Sequence, residues 1–93
     1  MHRASTKEVA QVLRDHSVHD PYLLVFGPDS PDVPGQFVLR VALAVPEDQI
    51  TEHHWAATSL QQVRAMIPPN LIRWPKVRTT SLPALVEQWG LQR

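Results

Sequence analysis

The segment 37–45 constrains the fold more than any other, because its large apolar side chains recur at every second residue. The alternation places Phe37, Leu39, Val41, Leu43 and Val45 on one side and Val38, Arg40, Ala42 and Ala44 on the other. A period of two is that of a β-strand with one face in the core. A shorter apolar run, Tyr22 to Phe26, is rich in residues that favour sheets and ends at Gly27. The sequence therefore predicts two strands, over 22–26 and 37–45, that form a hairpin.

The second face of this hairpin is also poor in charge. Its residues Val38, Ala42 and Ala44 are small or apolar, and the first strand is apolar at nearly every position. Two helices on one side of a sheet leave its other side uncovered. The pattern predicts that a third helix, a folded loop or a second copy of the chain covers this face. A shallow, half-exposed face is the alternative, and the sequence favours neither.

Two helices are predicted from capping signals followed by apolar residues at helical spacing. Ser5 and Glu8 form a capping box before the apolar stripe of a first helix over 6–17, which ends at Asp20-Pro21. Ser59 and Gln62 repeat this signal, and Pro68-Pro69 must end the second helix, so we expect it over about 59–67.

The remaining segments carry weaker patterns. Residues 51–57 predict a helical turn that carries Trp55, and residues 71–79 predict an edge strand interrupted at Pro75. Residues 82–89 suit either a brief helix or a strand. We favour the strand, because a two-stranded hairpin is only marginally stable without further partners.

Together these elements predict an α+β fold. The expected architecture is a small single-layer, mostly antiparallel sheet of three or four strands packed against two helices, in the order α-β-β-α-β with one optional further strand. At 93 residues the chain is expected to form one domain, residues 1–93, with a real core but no deep substrate cavity.

Composition excludes several kinds of chemistry. The chain has no cysteine, which removes disulfides, thiolate nucleophiles and thiolate zinc sites. The nucleophile-elbow, phosphate-loop and zinc-protease motifs are missing. The first residues lack the apolar stretch of a secretory leader, and no apolar run approaches membrane-spanning length. We therefore expect a cytoplasmic protein without a membrane partner.

The net charge of zero conceals two halves of opposite sign. Residues 1–63 hold four cations and eight acids, a charge of −4, whereas residues 64–93 hold five cations and the single acid Glu87, a charge of +4. A chain polarised in this way is suited to a protein partner, or a copy of itself, with complementary charge.

The segment 64–78 is the candidate binding region, because it carries four cations and no acid. Its candidate partner-binding residues are Arg64, Arg73, Trp74, Lys76 and Arg78. Cations could neutralise phosphates while an exposed Trp74 stacks on a base, but nucleic-acid-binding domains are usually basic overall and this chain has a pI near 7.0. The favoured interpretation places Trp74 in the core and the charges along an edge strand, where they prevent edge-to-edge pairing.

The histidines supply the weak metal candidates. His16, His19 and Asp20 have the i, i+3 spacing that brings two imidazoles to one helical face. A histidine at the edge of the core is the more common outcome, and the adjacent His53 and His54 point in different directions. The sequence therefore predicts no bound metal or cofactor.

Three functions remain open. The favoured one is a small non-catalytic protein-interaction or regulatory module that self-associates, because three tryptophans and opposed charges suit surface recognition. The second is nucleic-acid binding through the basic segment. The third is a histidine-dependent metal-binding protein or enzyme, whose complete ligand set or triad is not visible in the sequence.

Overall fold

The computed structural model describes residues 6–29, 34–74 and 84–91. These residues form the helices α1 (Thr6–Asp15) and α2 (Leu60–Ala65), a 3-10 turn (Ser17–His19), and the strands β1 (Pro21–Phe26), β2 (Phe37–Leu43), β3 (Gln49–Ala57), β4 (Ile72–Arg73) and β5 (Leu85–Gly90). The strands form one antiparallel sheet in the order β3-β2-β1-β5-β4. The predicted α+β fold is confirmed at this level.

The hairpin predicted from the alternating pattern forms the middle of the sheet. Leu23 lies opposite Val41, and Val25 lies opposite Leu39. Directly opposed residues share one face of an antiparallel pair, so these four side chains point the same way. That face carries the helices, and we call it the helix-side face.

The core on the helix-side face is mainly aliphatic. Val9 of α1 and Val63 of α2 are fully buried and lie in one cluster with the inward side chains of β1 and β2. The cluster comprises Val9, Leu23, Val25, Leu39, Val41, Val63, Met66, Ile67 and Leu71. Each helix therefore contributes one fully buried valine, β1 and β2 contribute four residues, and the segment after α2 contributes the remaining three.

The opposite face of the sheet has its own buried cluster. It contains Tyr22, Leu24, Phe26, Val38 and Ala42, with Ala44, Trp74 and Leu85 packed against them. Leu24 is 1% exposed and Ala42 is 0% exposed in a single chain. A second copy is therefore not needed to remove these residues from solvent.

The number and order of strands differ from the prediction, with five strands in place of three or four. The predicted helical turn over 51–57 is wrong, because this segment belongs to the nine-residue strand β3. Its polar residues lie at the edge of the sheet, where most of them are exposed, so the apolar alternation of a half-buried strand is missing. The segment 82–89, for which we favoured a strand, contains most of β5.

Several boundaries also shift. Helix α1 ends at Asp15 and not at residue 17, because a 3-10 turn follows it. Strand β2 ends at Leu43, since the amides of Ala44 and Val45 both bond to the His19 carbonyl instead of continuing the ladder. The predicted strand over 71–79 is observed only as the two residues of β4, and residues 75–79 lie outside the described part, as does Ser5.

Helix α2 confirms its capping signal over a shorter length than the predicted 59–67. The Ser59 hydroxyl accepts a hydrogen bond from the Gln62 amide at 3.2 Å. The Gln62 side chain in turn accepts from the backbone amide of Thr58. The two polar side chains of the capping box thus fix where α2, the helix that carries Arg64, begins.

Candidate partner-binding surface

The candidate surface is centred on a buried acid, Glu87, which lies on β5 opposite Val25 and therefore on the helix-side face. Glu87 is only 3% exposed. A carboxylate so deep in a small protein needs charged or hydrogen-bonding partners, because desolvation of an unpaired charge is costly. Arg64, Arg73 and Trp89 supply these partners. We call Glu87 and these three residues together the Glu87 cluster.

The contacts come from three different elements. Arg64 of α2 holds both carboxylate oxygens, with its Nη2 on Oε2 and its Nε donating to Oε1 at 3.3 Å. Trp89 of β5 donates from its indole Nε1 to the same Oε1 at 2.9 Å. Arg73 of β4 lies farther away, with 3.7 Å between its Nη1 and Oε2. Glu87 therefore ties α2 and the edge strand β4 to β5.

Burial and pairing act on Glu87 in opposite directions. Burial is the largest single influence and raises the pKa of Glu87. The hydrogen bonds from Arg64 and Trp89, together with the charges of Arg64 and Arg73, outweigh it, so the pKa lies below its ordinary value. The hydrogen bond with Glu87 likewise raises the pKa of Arg64. Glu87 is therefore an anion at neutral pH.

The two arginines remain accessible to a partner. The side chain of Arg64 is 44% exposed and that of Arg73 is 57% exposed. One carboxylate between two guanidinium groups leaves the cluster with a net positive charge. Guanidinium groups held in this way still present outward N–H donors to carboxylates or phosphates.

Trp74 lies on the other face of the sheet, away from the Glu87 cluster. Arg73 is paired with Trp89 on the helix-side face, and neighbouring strand residues point to opposite faces. The indole of Trp74 is 5.4 Å from the Tyr22 ring between centroids, and its Nε1 donates to the Leu91 carbonyl at 3.1 Å. Trp74 is thus half-buried and packed against the cluster of that face, whereas the favoured interpretation placed it in the core.

A glycine makes room for this indole. Gly90 of β5 lies directly under the Trp74 ring, and a Cβ at this position would overlap the ring atoms. The close approach of an aromatic ring to backbone requires a residue without a side chain. Gly90 therefore fixes where the indole rests on the opposite face.

The predicted partner-binding residues consequently separate. The structure brings Arg64 and Arg73 together and places Trp74 elsewhere, while Lys76 and Arg78 lie outside the described residues. Glu87 and Trp89 were not predicted as part of the site. The available signal was Glu87 itself, which is the single acid in the basic half of the sequence.

The weak metal candidates do not converge. His16 faces the ring of His53, whereas His19 places its Nδ1 3.1 Å from the Val45 carbonyl. Asp20 has a left-handed backbone, with φ of 51°, and closes the 3-10 turn through its amide. Within the described residues, no group of three or more His, Cys, Asp and Glu side chains is arranged to hold a metal ion.

Comparison with family models, curated proteins and solved structures found no match to this chain. In the part of the chain that the structure describes, no helix has both the length and the apolar character needed to cross a membrane.

Proposed function

We propose that this chain is a non-catalytic protein-interaction module that presents Arg64 and Arg73 to an acidic surface of a partner protein. The observation that carries the proposal is the pair of half-exposed guanidinium groups held by one buried carboxylate. A cytoplasmic location is part of the proposal and agrees with the absence of cysteine.

The geometry favours binding because the arginines are already ordered. A free arginine on a surface loses side-chain entropy when it binds, whereas Arg64 is held at two atoms by Glu87 before any partner arrives. Arginine is also among the residues that dominate binding energy at protein interfaces. A partner carboxylate would meet donors whose positions are set by α2 and β5.

Arg73 offers the cleaner test of this proposal. It lies 3.7 Å from Glu87 and is more exposed than Arg64, so Arg73→Ala leaves the Arg64–Glu87 pair in place. We expect a fluorescent oligoglutamate peptide to bind the wild-type protein at low salt and to bind Arg73→Ala about three- to tenfold more weakly. Arg14→Ala, which removes an exposed arginine from α1, should bind like the wild type.

A single-stranded oligonucleotide of matched charge distinguishes the alternative partner. Trp74 is packed on Tyr22 on the face away from the arginines. Trp89 is packed against the helix-side core with its indole nitrogen on Glu87, so neither indole is presented for stacking as in single-strand binders. We expect weaker binding of the oligonucleotide than of the peptide, without quenching of tryptophan fluorescence. Tight, salt-dependent oligonucleotide binding that Arg73→Ala weakens would favour nucleic acid and contradict the proposal.

Self-association is a second candidate, favoured by the different charges of the two sheet edges. The loop before β3 and β3 itself carry Glu47, Asp48 and Glu52, whereas β4 at the other edge carries Arg73. Copies that meet edge to edge would bring these charges together, in a head-to-tail contact. The contact we expected from the face of Ala42 is not available, because that residue is buried in one chain.

Sedimentation velocity over a range of protein concentrations tests self-association. We expect larger species to appear as concentration rises, to diminish with added salt, and to be fewer in Arg73→Ala. The Arg14→Ala variant serves again as the control for lost charge. Monomers alone at every concentration and at low salt would contradict this second candidate and leave the first untouched.

A further inference from the structure

Two histidines distant in sequence lie face to edge on the surface. His16 follows α1 and His53 lies on β3, and their ring centroids are 5.2 Å apart with the planes at 68°. His53 is exposed and His16 is partly exposed. The pair is therefore open to a small ligand from solvent.

The hydrogen bond of His16 sets its tautomer. Its Nδ1 lies 3.0 Å from the Val12 carbonyl oxygen. A carbonyl oxygen only accepts, so Nδ1 carries the proton and the lone pair is on Nε2. Metal-ligating histidines are held in this way, with one ring nitrogen donating to a carbonyl while the other faces the ion.

His53 has both ring nitrogens available. Within the described residues its ring makes no hydrogen bond, and its backbone amide donates to the Thr51 hydroxyl at 3.2 Å. The ring can therefore direct either nitrogen toward His16 without losing a hydrogen bond. Rotation of an exposed side chain on a surface strand costs little.

The separation of the rings fits a shared metal ion. A zinc–nitrogen bond of about 2.1 Å places the ion roughly 3.2 Å from each imidazole centroid, and a tetrahedral angle then places the two centroids roughly 5.2 Å apart. The observed separation is 5.2 Å. The turn after α1 and strand β3 thus place the two rings close enough for one ion to bridge them, once the His53 ring, at 68° to that of His16, turns a nitrogen toward it.

We infer that His16 and His53 together bind one divalent transition-metal ion of the zinc, nickel and copper class. Imidazole nitrogen suits these ions and is a poor ligand for calcium or magnesium. Two protein ligands leave the other coordination positions to water, so the site is open and its ion exchanges readily. The site is separate from the Glu87 cluster and does not depend on the proposed function.

The chain offers two matched controls. His19 and His54 also have Nδ1 near a backbone carbonyl, at 3.1 Å from Val45 and 2.9 Å from Glu52, but neither is in ring contact with another histidine of the described residues. A nonspecific affinity for surface imidazole would involve these residues equally. A built site would involve only His16 and His53.

Titration calorimetry of the whole chain with zinc chloride, repeated with cobalt for its visible spectrum, tests the inference. We expect one ion per chain, a change in the visible cobalt spectrum on binding, and affinity at least about tenfold weaker in His16→Ala and in His53→Ala, with no change in His19→Ala or His54→Ala. His53 is exposed, so its variant remains interpretable if His16→Ala unfolds.

Three results would overturn the inference. The first is absence of zinc binding by the wild-type chain. The second is an equal loss of affinity in all four variants, which would indicate nonspecific binding. The third is one ion per two chains, which would show that the ligands come from different copies.

Discussion

Val41 and Val38 are equally buried, at 0% and 1% exposed, but they lie on opposite faces of β2 in different surroundings. Val41 shares a cluster with the aliphatic side chains of both helices, whereas Val38 shares one with the aromatic rings of Tyr22 and Phe26. A sheet with its helices on one side can therefore bury both faces within one chain. The proposed partner contacts accordingly involve Arg64, Arg73 and the edges of the sheet, and neither face.

The largest expected effect comes from a charge placed on the face of the sheet that carries Tyr22 and Phe26, which we call the aromatic face. Ala42→Glu should lower the free energy of unfolding by at least about 3 kcal/mol, because the new carboxylate would be buried without a partner. Ala56→Glu, on the exposed edge strand, should change it by less than about 0.5 kcal/mol. Urea denaturation measures both, and wild-type stability for Ala42→Glu would show that this face is open to solvent.

The matched valines test whether the two faces are equivalent parts of one core. Val41→Ala and Val38→Ala should each cost about 1–3 kcal/mol, since both truncate a buried aliphatic side chain. Thermal melts at low and high protein concentration should give the same difference for both variants. A cost for Val38→Ala that depends on concentration would mean that a second copy completes the aromatic face.

Gly90 tests how closely the aromatic face is packed. Gly90→Ala should cost about 1–2 kcal/mol and perturb tryptophan fluorescence, because its methyl group would displace the indole of Trp74. Gly27→Ala is the control: its Cβ would lie 3.3 Å from the exposed Val86 side chain, which can yield. Equal melting temperatures for the two variants would contradict the placement of Trp74.

Glu87→Gln tests the charged part of the helix-side face and has the smallest effect. Because folding lowers the pKa of Glu87, its contribution is present above the ordinary value of 4.5 and is lost as pH falls through the lower folded pKa. We expect the variant to lose about 1 kcal/mol near pH 7 and to match the wild type in strong acid.

The control for this pH dependence is Glu52→Gln on the exposed edge of β3, which should alter stability by less than about 0.5 kcal/mol at any pH. Urea denaturation at several pH values measures both variants. A Glu87→Gln deficit that persists unchanged in acid would show that the side chain acts by shape alone.

The sequence predicts those parts of the fold whose structure depends on residues close together in the chain. The period-two pattern of β2 and the Ser59 cap of α2 depend on local spacing, and both are observed. Strand β3 was missed because an edge strand owes its structure to hydrogen bonds with β2 and not to its own apolar pattern. Its Glu52-His53-His54 sequence has no alternation to detect.

The candidate site was only partly predictable for a similar reason. Arg64 and Arg73 could be identified from charge alone, but their common partner Glu87 enters from β5, which the chain reaches many residues later. Sequence distance also hid the approach of His16 to His53. Contacts of this kind are set by sheet order, which local patterns do not specify.

Sheet order has a consequence for how the chain is made. Strand β1 lies between β2, which follows it closely in sequence, and β5, which comes last among the strands. During synthesis β1 can pair with β2 early, but its second edge has no partner until residues 85–90 leave the ribosome. An apolar strand with an open edge is the usual starting point for association between unfinished chains. We therefore expect pairing between copies of this chain to be most favoured in the interval after β1 and before β5 is made.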